Sequence, residues 1–283
     1  MKIKNNSNYW EKNFDNLLQM NKKKGSPEYL RNEYVLNFIK KNKIRSFHDI
    51  GCGTGELVRK VDKQKIVKKI IASDFYIDEL RLKTSRNKNI KYYNQNISNS
   101  PKLNKFSKVD LCTAMSVLPY IKSYKKFFKN YLNEYLKKKK YFIFSFPNEL
   151  FDIYTLNTNT KDFYLKYLVQ NKKFKKKEYL KLSQFLSSKF DKKINLNNKK
   201  ISGYKDKQIK HFHRINYFLI SKFLKDNGYE IIDVNFLNHH EFPTSFDLYN
   251  KNKFKKKKII NLNEKNGWSG LFTCSTIMIT IRI

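Results

Sequence analysis

The run Asp49-Ile50-Gly51-Cys52-Gly53-Thr54-Gly55 decides the fold of this chain. Ser46–Ile50 before it predicts a short buried strand. Thr54–Val61 after it predicts a helix with Leu57, Val58 and Val61 turned inward. A glycine-rich turn between a strand and a helix is the setting that a nucleotide-binding loop requires. Gly51 and Gly53 let the backbone turn sharply and let a ligand approach it closely. Gly55 permits tight helix–strand packing. Free N–H groups at the helix start face the ligand. Asp49, at the strand's end, can hold an ammonium or a hydroxyl. The spacing departs from the dinucleotide fingerprint G-x-G-x-x-G. The third glycine falls one position early, and Glu56 stands where that fingerprint needs glycine. A carboxylate there would repel a pyrophosphate.

Outward from the loop, strand and helix patterns alternate. Lys69–Ser73 holds the apolar run Ile70-Ile71-Ala72, and Ile90–Tyr93, Val109–Ala114 and Tyr141–Phe146 follow as further short strands. Such apolar runs suit strands buried on both faces. Asp78–Arg86 and Tyr124–Leu136 predict helices between them. This alternation with short links implies right-handed crossovers and a mostly parallel sheet. Ser26-Pro27 predicts the start of an earlier helix, with Tyr29, Val35, Leu36 and Phe38 as its apolar face. Late in the chain, Ile215–Asn227 predicts a helix closed by Gly228. Tyr229–Asn235 predicts a sixth strand and Leu271–Ile283 a long seventh. Asn148–His213 is an insertion with helical stretches near Asp162–Lys177 and Tyr179–Phe190, and His239–Gly270 is a second insert.

Composition narrows the class. The 283 residues suit one α/β domain with an insertion. No run of 18 or more apolar residues exists, which excludes a membrane-spanning helix. Met1–Asn13 lacks the apolar core of a secretory signal, so a cytoplasmic protein is expected. Cys52, Cys112 and Cys274 are far apart and form no CxxC pair, against a zinc site or a disulfide framework. The formal charge is +36, yet 53 of the 60 cations are Lys and seven are Arg. Lys, Asn, Ile, Phe and Tyr share A/T-rich codons, so genome composition alone can give this bias, and a functional anion-binding surface is the alternative. Dedicated phosphate readers favour the planar fork of Arg. The Lys runs at 137–140, 172–177 and 255–258 read as solvated helix faces or turns.

Taken in order, these segments resemble class I S-adenosylmethionine (SAM)-dependent methyltransferases. The resemblance covers residues 46–146 well and 213–283 more loosely. It implies a Rossmann-like sheet of order 3-2-1-4-5-7-6, the last strand antiparallel, with helices on both faces. It implies a single domain, 1–283. Residues 1–45 would form a helical lid, 46–146 the SAM-binding core, 148–213 an insertion shaping the acceptor site, and 214–283 the rest of the core. SAM carries no phosphate, which suits an acidic residue before the loop. The resemblance assigns SAM contacts to Asp49, Gly51, Cys52, Gly53, Thr54 and Gly55. Asp74, at the end of the second strand, would take the ribose hydroxyls, and a carboxylate can accept both. Phe75 would pack on adenine. Asn96 and Ile97 would flank adenine, although the family more often has Asp where Asn96 stands. Ala114, Met115 and Ser116 would line the methionine part.

Fold and cofactor do not fix the acceptor. The expected acceptor is a hydroxyl of a small molecule or glycan. Methyl transfer to a hydroxyl needs a base, and His211, His213 and His239 are the candidates because histidine titrates near neutral pH. No metal is expected. RNA methylation through the basic surface, and SAM binding without catalysis, are the alternatives; the former requires a dense basic patch around the cofactor mouth.

Overall fold

The computed structural model describes residues 22–75, 89–95, 108–121, 123–130, 132–168, 176–190, 213–241 and 259–283, together with 19, 243, 255 and 256. Helix α1 (Pro27–Lys41) starts as its sequence dictates. The Ser26 hydroxyl accepts from the Tyr29 N–H at 3.0 Å, and Pro27 occupies the first turn. Its buried face is Asn32, Val35, Leu36 and Ile39, rotated from the stripe expected through Tyr29 and Phe38, which are half-buried. Strand β1 (Ser46–Ile50) follows, then α2 (Glu56–Lys63), β2 (Lys69–Asp74), β3 (Ile90–Asn94) and β4 (Val109–Met115). Strand β5 (Leu136–Pro147) leads into the insertion. Strand β6 is Glu230–His240, and two-residue strands β7 (Lys255–Lys256) and β8 (Ile260–Asn261) pair with it. Strand β9 (Cys274–Arg282) closes the sheet.

The strand order is β3-β2-β1-β4-β5-β9-β6-β7, with β8 also on β6, nine strands among the described residues. β1 to β5 pair in parallel, and β9 runs antiparallel to both β5 and β6. This is the expected Rossmann-like order, widened at one edge by the two short strands.

Several boundaries differ from the sequence reading, each for a physical reason. The helix expected over Tyr124–Leu136 is described over Tyr124–Asn130 (α3) and Leu132–Tyr135 (α4), residue 131 between them lying outside the described residues. Leu136 already pairs with Val109, so β5 begins there and takes in the Lys137–Lys140 run that reads as a helix face or turn. The last strand starts at Cys274 rather than Leu271, because Gly270–Thr273 forms a helical turn. A Cβ on Gly270 would lie 2.4 Å from the Phe236 ring, so this turn sits directly on β6. The late helix, α8, is Tyr217–Asp226. The Asn216 side chain caps it by accepting from the Phe218 N–H at 3.0 Å, which leaves Ile215 outside. In the insertion the helices are α5 (Phe151–Tyr154), α6 (Thr158–Phe163) and α7 (Lys176–Phe190). A π-helical turn, Tyr164–Leu168, follows α6. The helix expected over Asp78–Arg86 lies outside the described residues.

Two apolar layers flank the sheet. Phe142, Phe144 and Phe146 alternate along β5 and stack in sequence at 5.1 and 5.9 Å, with Phe128 edge-on at 5.2 Å from Phe144. Burying each such ring contributes roughly 1.5–3 kcal/mol. The intervening Ile143 and Ser145 point to the other layer, where α1 packs. That alternation brings Ser145 towards the site.

Candidate functional site

The glycine loop crosses the C-terminal ends of the central strands. Gly51, Gly53 and Gly55 have φ of 69°, 50° and 68°, all left-handed. The Gly51 and Cys52 N–H groups donate to the Ser73 carbonyl at 2.7 and 3.1 Å, which ties the loop to β2. The Gly53 N–H donates to Asp74 Oδ2 at 2.8 Å. Gly55 is the N-cap of α2, at φ of 68° and ψ of 13°. A Cβ on Gly51 would sit 2.3 Å from Val117 Cγ2, whereas one on Gly53 would meet nothing within 4 Å. The loop is therefore packed on one side and open on the other.

Asp49 is buried, and the Thr113 hydroxyl donates to its Oδ1 at 2.6 Å. Burial pushes its pKa up to about 7. Asp74 adds to the rise, while the Thr113 bond and the Arg31 charge oppose it. Thr54 and Cys52 are also buried, and burial pushes the Cys52 thiol up. Asp74 and Phe75 are half-buried at the end of β2. Ala114 is buried, Met115 and Ser116 half-buried, and Ser116 has φ of 59°. Its N–H donates to the Ser145 hydroxyl at 3.0 Å. Asn96, Ile97 and His211 lie outside the described residues.

Sequence reasoning missed Arg31. Its side chain is only 11% exposed. From α1 it reaches across the sheet, and Nη1 donates to Ser116 Oγ at 2.5 Å and Ser145 Oγ at 3.2 Å. Glu28 lies 3.6 Å from Nη2. Burial lowers the pKa of the guanidinium, and Glu28, Asp49 and Tyr120 oppose that. A single arginine in a lysine-rich chain carries no local signature. The available clue was its place on the helix preceding the loop.

The candidate bases separate. The His213 N–H donates to the Pro119 carbonyl at 2.9 Å, so this residue stands over the turn that follows β4. Asn148 pairs with Ile215 beside it. His239 sits on β6, in register with Cys274 of β9. The order β4-β5-β9-β6 puts it three strand spacings, roughly 14 Å, from β4. His240 is buried against the Phe151 ring at 4.9 Å. Among the described residues no group of three or more His, Cys, Asp or Glu is placed to hold a metal, and no helix is long and apolar enough to cross a membrane.

The sheet order and the glycine loop define a class I SAM-dependent methyltransferase. The Methyltransferase domain family matches residues 7–234, and the chain belongs to that family. The fold is similar to the methyltransferase domain of bacterial CtHen1-C at 18% identity, covering 91% of this chain and 98% of that one, with a TM-score of 0.48. It is also similar to a SAM-dependent methyltransferase from Mesorhizobium loti, at 14% identity over 85% and 91%, TM-score 0.45. A third is the plantazolicin methyltransferase BpumL in complex with a triazolic desmethylPZN analog and SAH, at 12% identity over 98% and 90%, TM-score 0.49. No curated protein sequence matches.

The residues present fit SAM. Asp49 and Arg31 set an acid and a base at one end of the loop, as an amino-acid zwitterion requires. Open space lies over Gly53, and a second carboxylate, Asp74, stands at the other end.

Proposed function

We propose that this enzyme methylates a hydroxyl of a small molecule or glycan, with His213 as the base. The observation that carries this reading is the His213–Pro119 backbone bond. It fixes His213 at the turn that follows β4. In this reading Asp49 holds the SAM ammonium and Arg31 its carboxylate, Asp74 takes the ribose, and Phe75 covers adenine. SAM supplies an electrophilic methyl on a sulfonium. The chain leaves β5 at Pro147 and is found beside that exit again at Ile215, whose N–H donates to the Pro147 carbonyl at 3.1 Å. Tyr154 OH donates to the Glu241 carbonyl at 2.6 Å and so joins the insertion to the end of β6. This insertion shapes the acceptor pocket.

The test is to incubate the protein with methyl-labelled SAM and an extract of cells lacking its gene, and to follow the label. Label in small molecules or glycans supports the reading; label in RNA or protein overturns it. With the labelled acceptor in hand, His213→Ala is expected to lower kcat by roughly 10²–10⁴-fold with little change in KM. A variant within threefold of wild type would remove His213 from the base role. Asp74→Ala is expected to weaken SAM binding by about 1–2 kcal/mol, read by calorimetric titration, because it removes charge-assisted bonds and the acceptor of the Gly53 N–H. An unchanged Kd would contradict the placement of the ribose.

A further inference from the structure

Helix α1 carries a second charged side chain beside Arg31. Glu28 lies in its first turn, and residues three apart on a helix are neighbours. The Glu28 side chain is 17% exposed, and its Oε1 stands 3.6 Å from Arg31 Nη2, an ion pair longer than a hydrogen bond. The other oxygen, Oε2, is buried and has no hydrogen-bond partner among the described residues. Arg31 Nε is in the same condition. A buried acceptor and a buried donor on one ion pair cost free energy until something satisfies both. The helix that carries them is fixed from two sides. Lys60 of α2 stands 3.5 Å from Glu33 and 4.5 Å from the centre of the Tyr29 ring. On the other side Tyr34 OH donates to Asp233 Oδ2 of β6 at 2.7 Å.

The charges of Glu28 and Asp49 both act on Arg31, so one guanidinium answers two carboxyl groups. Asp49 alone does not complete a site for an ammonium. An ammonium has three N–H donors to place. Asp49 Oδ1 already accepts from the Thr113 hydroxyl at 2.6 Å, so Asp49 offers chiefly its other oxygen. Glu28 Oε2 is a further buried carboxyl oxygen on the same cluster. An anion alone would suit Arg31 and be repelled by Glu28, and a cation alone would do the reverse. The end of an α-amino acid suits both at once. Its carboxylate accepts from Arg31 Nε, and its ammonium donates to Glu28 Oε2.

We propose that Glu28 shares the SAM ammonium with Asp49, accepting through Oε2, while Arg31 Nε donates to the SAM carboxylate. This inference rests on the placement of the amino-acid end of SAM at Asp49 and Arg31. It adds the residue that makes the site selective for a free α-amino group, and it is independent of which acceptor is methylated.

The probes are S-adenosylhomocysteine and its analogue lacking the α-amino group. Each is titrated calorimetrically into the wild-type protein and into Glu28→Gln, which removes the charge and keeps the shape. Glu28→Gln is expected to weaken binding of S-adenosylhomocysteine by about tenfold or more, the loss of one charge-assisted hydrogen bond. Binding of the deaminated analogue should change by under about threefold, because that ligand has no ammonium for Glu28 to meet. The readout is a Kd, which a partly folded sample does not alter. Equal losses for the two ligands would mean that Glu28 acts only by holding Arg31, and the inference falls. It falls equally if neither affinity moves. If deamination leaves the wild-type affinity unchanged, the amino-acid end of SAM does not lie at Asp49 and Arg31, and that placement falls with it.

Discussion

Gly51→Ala should abolish measurable SAM binding and lower the melting temperature, whereas Gly53→Ala should abolish binding and leave the fold nearly intact. The two glycines share a left-handed backbone, φ of 69° and 50°, and each substitution there costs about 1–2 kcal/mol. They differ in what the new Cβ meets. At Gly51 it overlaps Val117, with Cγ2 at 2.3 Å and Cγ1 at 3.2 Å. Val117 is β-branched and cannot turn aside cheaply. Overpacking of this kind adds about 1–3 kcal/mol. The sum, about 3 kcal/mol, corresponds to a fall in Tm on the order of 6–12 °C for a chain of this size. At Gly53 the Cβ enters open space, the space a ligand lying on the loop would use. Differential scanning calorimetry and SAM titration on both variants separate the effects. Gly51→Ala/Val117→Ala should recover part of the lost stability by removing the overlap. Equal melting temperatures for the two single variants would contradict the packed-side, open-side description of the loop.

The same loop explains how much of the protein was legible in its sequence. Local chemistry announced itself. Ser26-Pro27 caps α1, Gly228 with φ of 79° closes α8, and the Asp49–Gly55 run marks the strand–loop–helix unit. The parallel pairing followed from that unit and the alternation around it, and the strand order from the family resemblance. What could not be read was set by partners distant in sequence. The Lys137–Lys140 run looks like a solvated turn until Leu136 finds Val109. Leu271 looks like strand until Gly270 is seen to rest on Phe236. His213 and His239 are equivalent as sequence, and the sheet order separates them by putting two strands between β4 and β6. Arg31 joins the site only because α1 packs where this side chain reaches Ser116 and Ser145, a tertiary event with no local mark.

SAM affinity should rise with pH up to about 7 and then level off, and Arg31→Met should move that midpoint upward. The buried Asp49 carboxyl has its pKa pushed up to about 7. An ammonium group pairs with the carboxylate and not with the neutral acid. Below pH 7 binding must therefore release a proton from Asp49, and affinity falls by up to about tenfold per pH unit. Above pH 7 the carboxylate is already formed, and the dependence ends. The sign is opposite for folding of the ligand-free chain. A carboxyl whose folded pKa is raised favours the folded state at low pH and loses that contribution as pH rises from about 4 towards 7. Two groups hold the Asp49 value down, the Thr113 hydroxyl and the Arg31 charge, and Asp74 pushes it up. Removing the Arg31 charge leaves burial and Asp74 less opposed, so the carboxyl holds its proton to higher pH. Arg31→Met should weaken SAM binding at pH 7 by about 2–3 kcal/mol, roughly 30–150-fold, because a buried charged hydrogen bond to the ligand carboxylate is lost as well. Titrations between pH 5.5 and 7.5 read both effects while an α-amino group, with a pKa of about 7.7–8.0, still keeps more than half its charge. Asp49→Asn should bind weakly with a flat profile. A flat profile in the unaltered protein would show that Asp49 is not the group facing the ammonium, and the zwitterion clamp of Asp49 and Arg31 would have to be abandoned.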